Sequence, residues 1–293
     1  MKTGDSESIQ RHRLALAELL SFHIEGYTVV DVGAHSTGEA DVYAGALSGE
    51  GSVVIGFEPN TLECAHLNSH WLGRRKFFPY AIGDGMRGTF HICQTPLTSS
   101  LLRPNLSVLA QFENLAEMCE VTKEVPIETV RLDDVGEIGS ADFLKLDVQG
   151  ATLVALENAE QLLERTLVVH AETEFVPIYA GEPLFSECEI FMRHRGFMFH
   201  HFHNLEGRRM KHGAYAVGRV PSQTLWADAV FVPSLRRLDR MPSRDLIRLG
   251  WTMDAVYGAC DMAMACFARC QDVDHVHLAS SYRDLLSAHG LLS

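Results

Sequence analysis

The chain has 293 residues, 46% of them hydrophobic, enough apolar matter for one large α/β domain or for a domain with an appendage. Its formal net charge of -13 argues against a broad nucleic-acid-binding face, which needs clustered lysine and arginine to displace counterions. The seven cysteines include no C-x-x-C pair, which favours reduced thiols, and the polar stretch from Met1 to Gln10 has no signal-peptide pattern, so a cytoplasmic protein without a membrane span is expected.

From the N-terminus, Ile9, Leu14, Leu16, Leu19 and Leu20 recur at near-helical intervals and predict an amphipathic helix packed on a sheet. Tyr27 to Val32 has the β-branched composition of a strand buried on both faces. It breaks into Gly33-Ala34-His35-Ser36-Thr37-Gly38, followed by a helix-compatible segment over 39–46. A second apolar run ends at Glu58-Pro59-Asn60, where Asn60 or Thr61 caps a helix over 61–72. A glycine-bearing loop followed, one βαβ unit later, by an acid is the pattern that holds a nucleoside, the acid taking the ribose hydroxyls. The loop after this first strand is not a G-x-G-x-x-G, and Asp31 beside it is poorly placed next to a pyrophosphate. The pattern therefore favours a cofactor without phosphates, such as S-adenosylmethionine, over nicotinamide or flavin.

Lys76 to Ile82 reads as a third strand, and Gly83-Asp84-Gly85 as the turn into a hairpin strand over 88–93. Ala81, Ile82 and Gly83 then sit at the cofactor edge of the sheet, where adenine could lie. The Ser-, Thr- and Pro-rich segment 95–105 is a loop and a candidate lid; 120–132 reads as an exposed antiparallel or edge strand, with Asp133 and Asp134 capping the next segment. In Ala141 to Gly150, strand alternation puts Lys145 and Asp147 on one side and Leu144 and Leu146 on the other. Charges in so apolar a strand are costly unless paired or near its end. Asp147 is accordingly the leading catalytic candidate, the alternative being an Asp147–Lys145 pair that only fixes the loop.

A helix is predicted over 151–164, then the buried strand Leu167-Val168-Val169, which runs into His170, Glu172 and Glu174. A helix over 185–195 stops at Gly196, strands occupy 197–202 and 225–232, and Pro233 ends the last. His201 and His203 share a face and are read as edge-strand imidazoles, with no metal site predicted. Beyond 234 the pattern turns helical, over 244–249, 252–269 and 272–291, packing on the sheet or on a second subunit. Strands alternating with helices imply a mainly parallel sheet with right-handed crossovers.

With these stretches placed, the chain resembles the FkbM family of S-adenosylmethionine-dependent methyltransferases. The matching text is Val30-Asp31-Val32-Gly33-Ala34, Gly56-Phe57-Glu58-Pro59-Asn60, Ala81-Ile82-Gly83-Asp84, Ser99-Ser100-Leu101, Leu132-Asp133, Leu144 to Ala151, and Glu172, in family order over residues 25–232. The resemblance implies an α/β class I methyltransferase (Rossmann-like) fold: a seven-stranded, mainly parallel sheet with an antiparallel last strand and helices on both faces. Its boundaries are an N-terminal helix over 1–24, the methyltransferase domain over 25–233 and a C-terminal helical extension over 234–293.

It further implies O-methylation of a hydroxyl on a sugar, glycan or polyketide-type metabolite. The cofactor-binding set is Asp31, Gly33, Ala34, His35, Glu58, Pro59, Asn60, Ile82, Gly83 and Asp84. Within it the Gly33-Ala34-His35 backbone lines the methionine part, Glu58 holds the ribose and Ile82 to Asp84 border the adenine. Asp147, His170 and Glu172 are the base candidates, in that order. Gly38 stands one residue later than the family's second loop glycine, His35 replaces a usual Asn, and Gln149 and Thr152 stand where Glu is usual. These departures and the tail motivate a rival reading, a non-catalytic protein on the same fold that binds a partner through its C-terminal helices. That reading expects truncation near Pro233 to leave a folded core. The expected partners are a small-molecule or glycan substrate and a second copy through the C-terminal helices, with neither nucleic acid nor membrane.

Overall fold

The computed structural model describes residues 3–35, 40–70, 73–211, 223–270 and 277–292. Among these residues ten strands form: β1 (Thr28–Val32), β2 (Val53–Phe57), β3 (Arg75–Phe78), β4 (Ala81–Ile82), β5 (Arg87–Cys93), β6 (Val121–Val130), β7 (Ala141–Leu146), β8 (Thr166–Glu174), β9 (Phe197–Gly207) and β10 (Thr224–Pro233). Seven of them make one sheet in the order β3-β2-β1-β7-β8-β10-β9. All neighbours are parallel except around β10, which runs antiparallel to both β8 and β9. This is the class I methyltransferase arrangement that the sequence resemblance implied.

Alternation along the strands builds two cores. Val29, Phe143, Val168 and Val230 face one way and pack with Leu16, Leu20, Tyr43, Ile247 and Trp251. Val30, Val32, Leu144, Leu146 and Val169 face the other way and meet Leu156, Leu162 and Met192 from the helices Thr152–Glu157, Glu160–Glu164 and Phe185–His194. The N-terminal helix, Thr3–Leu19, belongs to the first face through Leu16, whereas Leu14 is exposed.

The residues after Pro233 are a wall of that first core. Sequence spacing placed a break near residue 250, but a continuous helix, Ser243–Tyr257, runs through it. Gly250 is held there by close packing: a Cβ on it would lie 2.6 Å from the ring of Phe267 on the next helix, Cys260–Phe267. The chain turns instead at Gly258, whose φ of +65° ends the helix in the left-handed region. Trp251 is fully buried and donates its indole N–H to the Ala46 carbonyl at 3.0 Å.

Two strand expectations are corrected. The run 76–82 is divided: β3 joins the main sheet and β4 pairs with β6 in a second, three-stranded sheet ordered β4-β6-β5. Pro79 separates the two pieces, since it offers no N–H to a ladder. The segment 87–93 is therefore no hairpin partner of 81–82; Val121–Val130 is an exposed strand antiparallel to β5, as expected, but it is the middle strand and not an edge, with β4 on its other side. Its many polar residues reflect one solvent-facing side of this small sheet. Asp133 caps not the next segment but the later helix Glu160–Glu164, accepting the N–H groups of Gln161 at 3.1 Å and Leu162 at 3.0 Å.

Candidate active site

A cleft of about 700 Å³ opens where β1, β2 and β7 end, the edge at which open α/β sheets bind ligands. Asp31, Gly33 and His35 line it from the first loop, and Glu58, Pro59 and Asn60 from the end of β2. Ile82, Asp147 and His170 complete the expected residues found there. Four others lie outside its lining. Ala34 is buried against Cys64, Leu67 and Phe77. Gly83 is buried, and a Cβ there would come within 2.9 Å of Thr129. Asp84 is exposed and shapes the turn, accepting the Met86 N–H at 2.9 Å and the Thr129 hydroxyl at 3.1 Å. Glu172 stands behind Gln149. Gly38 falls outside the described residues.

Gly33 has φ +80°, and a Cβ on it would sit 1.9 Å from the Asp147 carbonyl oxygen. Only glycine fits so close an approach. The same junction is tied by the Asp147 N–H, which donates to the Val32 carbonyl at 2.9 Å. The loop glycine and the candidate acid are thus fixed to each other by backbone geometry. At the end of β2, Glu58 accepts the Asn60 N–H at 2.6 Å, and burial pushes its carboxyl up to about 7, with Asn60 opposing and Glu63 adding to the rise. The Asn60 side chain caps the helix Thr61–His70 through the Leu62 N–H at 3.1 Å.

Across the sheet, Asp31, Lys145 and His170 are register neighbours on β1, β7 and β8 and form a polar row. Lys145 Nζ lies 3.3 Å from Asp31 and 3.6 Å from Asp147, and the Tyr43 hydroxyl donates to Asp31 at 2.7 Å. Burial alone would lower the Lys145 pKa; the charges of Asp31 and Asp147 outweigh it and raise it, so the ammonium persists. Both nitrogens of the buried His170 ring are engaged, Nδ1 with the Tyr257 hydroxyl at 2.9 Å and Nε2 with Asp228 at 3.3 Å. Burial opposes ionisation of Asp228. The hydrogen bond and charge of His170, with Asn204 and Lys145, hold its carboxyl below the usual range.

Gln149 is the junction of the acids. Its side-chain nitrogen donates to Asp147 at 3.0 Å and to Glu172 at 2.6 Å, and its oxygen accepts the Tyr179 hydroxyl at 3.0 Å. A glutamate in its place would set a third carboxylate against two others, which gives the departure a local reason. Thr152 donates to the Glu172 carbonyl at 2.8 Å. Burial, then the charges of Asp147 and Glu174, raises Glu172 well above the ordinary carboxyl range.

Asp228, His203 and Asn204 also line the cleft and were not singled out as site residues. The signal for Asp228 was its position as a lone charge in an apolar strand, Leu225 to Val232. Opposite the polar row, Phe90 and Ile92 of β5 and Val125 and Ile127 of β6 form an apolar wall, extended by Leu97 and Leu101 from the loop expected as a lid.

The methyltransferase FkbM domain model matches residues 31–199, more than half of the chain. The chain belongs to the FkbM methyltransferase family. Family and fold imply S-adenosylmethionine as the methyl donor. Comparison with curated proteins gave no match. Among solved structures, the chain is similar to a candidate RNA methyltransferase from Pyrococcus horikoshii, at 15% identity and a TM-score of 0.35 over 76% of this chain and 83% of that one. It is also similar to a candidate methyltransferase from Thermoplasma acidophilum, at 10% identity and a TM-score of 0.37 over 72% and 70%. Likenesses this distant add nothing to the assignment, which rests on the family match and the strand order. Among the described residues of this FkbM-family chain, no helix is long and apolar enough to cross a membrane.

Proposed function

We propose that the chain transfers the methyl group of S-adenosylmethionine to a hydroxyl of a metabolite with an apolar body, polyketide-type in preference to a bare sugar. The observation that carries the reading is the charge of the cleft. Asp31, Asp41, Glu58, Asp147 and Asp228 line it, with Lys145 as its one lysine or arginine among the described residues. Such a lining repels a pyrophosphate and suits a cofactor bearing a sulfonium and an amino group. Glu58 fits the ribose diol as an acceptor, and Gly33 and His35, which line the cleft from the first loop, fit beside the amino-acid end. When bound, S-adenosylmethionine supplies an electrophilic methyl group.

The protein's contribution is alignment and proton removal. Asp147 serves as the base: it is partly exposed in the cleft, one oxygen is oriented by Gln149 and the other lies near Lys145. His170 has no ring nitrogen to spare and instead positions Asp228 toward the acceptor side. Glu172, half-buried behind Gln149 and inclined to hold its proton, is a poor base. The Phe90 and Ile127 wall favours an apolar acceptor body.

Titration calorimetry with S-adenosylmethionine and with its demethylated product, on wild type and Glu58→Ala, tests the cofactor. Binding in the micromolar range that the variant loses supports the reading, and no binding to wild type sinks it. Acceptor pairs that offer the same hydroxyl on an apolar or a sugar body then test the substrate class, and Asp147→Asn with full turnover would remove Asp147 as base.

A further inference from the structure

The opposite edge of the main sheet carries a second cleft, of about 630 Å³, with the reverse electrostatics. It opens beside Asp142 near the start of β7, Leu167 near the start of β8, Gly196 just ahead of β9 and Ser234 just beyond β10. Six of the chain's 25 lysines and arginines line it: Arg165, Arg236, Arg237, Arg240, Arg244 and Arg248. The transfer cleft, by contrast, contains no arginine among its described lining residues.

The six arginines differ in what already holds them. Arg248 is buried, pairs with Asp142 at 2.6 Å and donates to the carbonyls of His23 and Glu25, so it forms the floor. Arg237 donates to the Glu164 and Thr166 carbonyls, each at 3.0 Å, and lies over the Phe197 ring. The side chains of Arg236, Arg240 and Arg244 make no hydrogen bond or close ion pair among the described residues, although the charge of Arg244 acts on Asp245. Three acids share the walls, Asp142, Glu164 and Asp245, and Asp142 is already matched by Arg248. The helix Ser243–Tyr257 begins at the same wall without a side-chain cap, which adds the positive end of a fifteen-residue helix dipole.

Planar guanidinium groups pair in a bidentate way with the oxygens of phosphoryl and carboxylate groups alike, and several of them on one wall suit the higher charge and additional oxygens of a phosphoryl group. At about 630 Å³ the cleft also has room for the remainder of a phosphorylated molecule beside the phosphoryl group itself. We propose that this cleft is a binding site for a phosphate-bearing small molecule, with Arg236, Arg240 and Arg244 gripping the phosphoryl oxygens over a floor set by Arg248. The site is distinct from the transfer cleft. The Ser243–Tyr257 helix separates the two, running about 20 Å from the arginines to Tyr257 beside His170. The proposal does not depend on which methyl acceptor the other cleft takes.

Calorimetric titration of the full chain with inorganic pyrophosphate at low ionic strength is the direct test. Wild type is expected to bind in the micromolar range, and the paired substitution R240S/R244S to weaken binding about tenfold or more. R87S, which alters an exposed arginine paired with Glu128 far from this cleft, should leave it unchanged. Arg240 holds no side-chain partner among the described residues and Arg244 acts on Asp245 through its charge alone, so the melting temperature of R240S/R244S should fall little and its S-adenosylmethionine binding should match wild type. Equal pyrophosphate affinity in wild type and R240S/R244S, or none in wild type, overturns the proposal. Cosedimentation with phosphatidylserine vesicles that needs these arginines, without pyrophosphate binding, also overturns it and assigns the cleft to a lipid headgroup.

Discussion

The side-chain nitrogen of Gln149 lies 2.6 Å from a carboxylate oxygen of Glu172, and the same nitrogen reaches Asp147 at 3.0 Å. One neutral amide thereby keeps two acids close to each other without a cation between them. Restoring a glutamate at this position removes both donors and adds a charge. Gln149→Glu is expected to lower stability by about 1–3 kcal/mol at pH 8, less at pH 5.5, where the added carboxyl can share protons with its neighbours. Denaturant unfolding at the two pH values checks this, and equal stability of variant and wild type at the higher pH would show that the amide bridge is dispensable.

Glu58 couples the cofactor to pH. Free, its carboxyl is pushed up to about 7 by burial; ribose hydroxyls donating to it would favour the ionised form and bring it down. Binding near neutral pH should therefore release roughly half a proton per cofactor. Calorimetry in buffers of different ionisation enthalpy reads this directly. Glu58→Gln should bind more weakly and show no such release. A buffer-independent enthalpy in wild type would separate Glu58 from the ribose.

Glu182 has both carboxylate oxygens buried and without a hydrogen-bond partner among the described residues. Burial first, then the charge of Glu174, pushes its pKa up to about 8, with backbone groups at Tyr179 and Ile178 offsetting part of the rise. Burial likewise takes Glu174 up to about 7. A carboxyl whose folded pKa is raised contributes stability that is complete below its unfolded value and lost as pH rises through the folded one. The chain should accordingly lose stability between about pH 5 and about pH 8. Glu182→Gln keeps the shape and cannot ionise, so it should flatten that slope and stabilise the protein at pH 8 by on the order of 1–3 kcal/mol. Parallel slopes for the two proteins would show that water reaches this carboxylate.

Charges at the ends of apolar runs were the legible part of the site. Asp31, Glu58 and Asp147 each interrupt or end a strand-like run, and strand ends in an α/β sheet converge on one edge. The direction of loop side chains has no period to read, so Ala34 and Asp84 could not be told apart from His35 by position. Asp228 was hidden for another reason. Its meaning comes from His170, 58 residues earlier, and antiparallel pairing over that span leaves no mark in spacing. The arginine cleft is illegible for the same cause, since Arg165 and Arg248 meet only when β8 and the Ser243–Tyr257 helix are both placed. Gly250 shows the limit of local propensity: a residue that breaks helices is kept in one because Phe267 needs its missing side chain.

That packing decides what removal of the tail would do. The helix Ser243–Tyr257 covers Val29, Phe143 and Val168 on the sheet, and its residues Ile247, Leu249, Trp251 and Met253 are all fully buried. Its far end reaches the site itself, where Tyr257 holds His170. A chain ending at Pro233 would keep only Leu16, Leu20 and their neighbours on this face and leave the rest of it in water. The loss exceeds the total stability of about 5–15 kcal/mol typical of a folded domain, so the truncated chain should not fold. This is the reverse of what a detachable partner-binding extension requires. Trp251→Ala gives the graded version, with an expected cost of about 3–5 kcal/mol from the cavity and the lost bond to the Ala46 carbonyl. Near-ultraviolet circular dichroism and denaturant unfolding of both proteins read the outcome. A truncated chain that keeps a cooperative transition and binds S-adenosylmethionine would return the C-terminal helices to the status of an appendage.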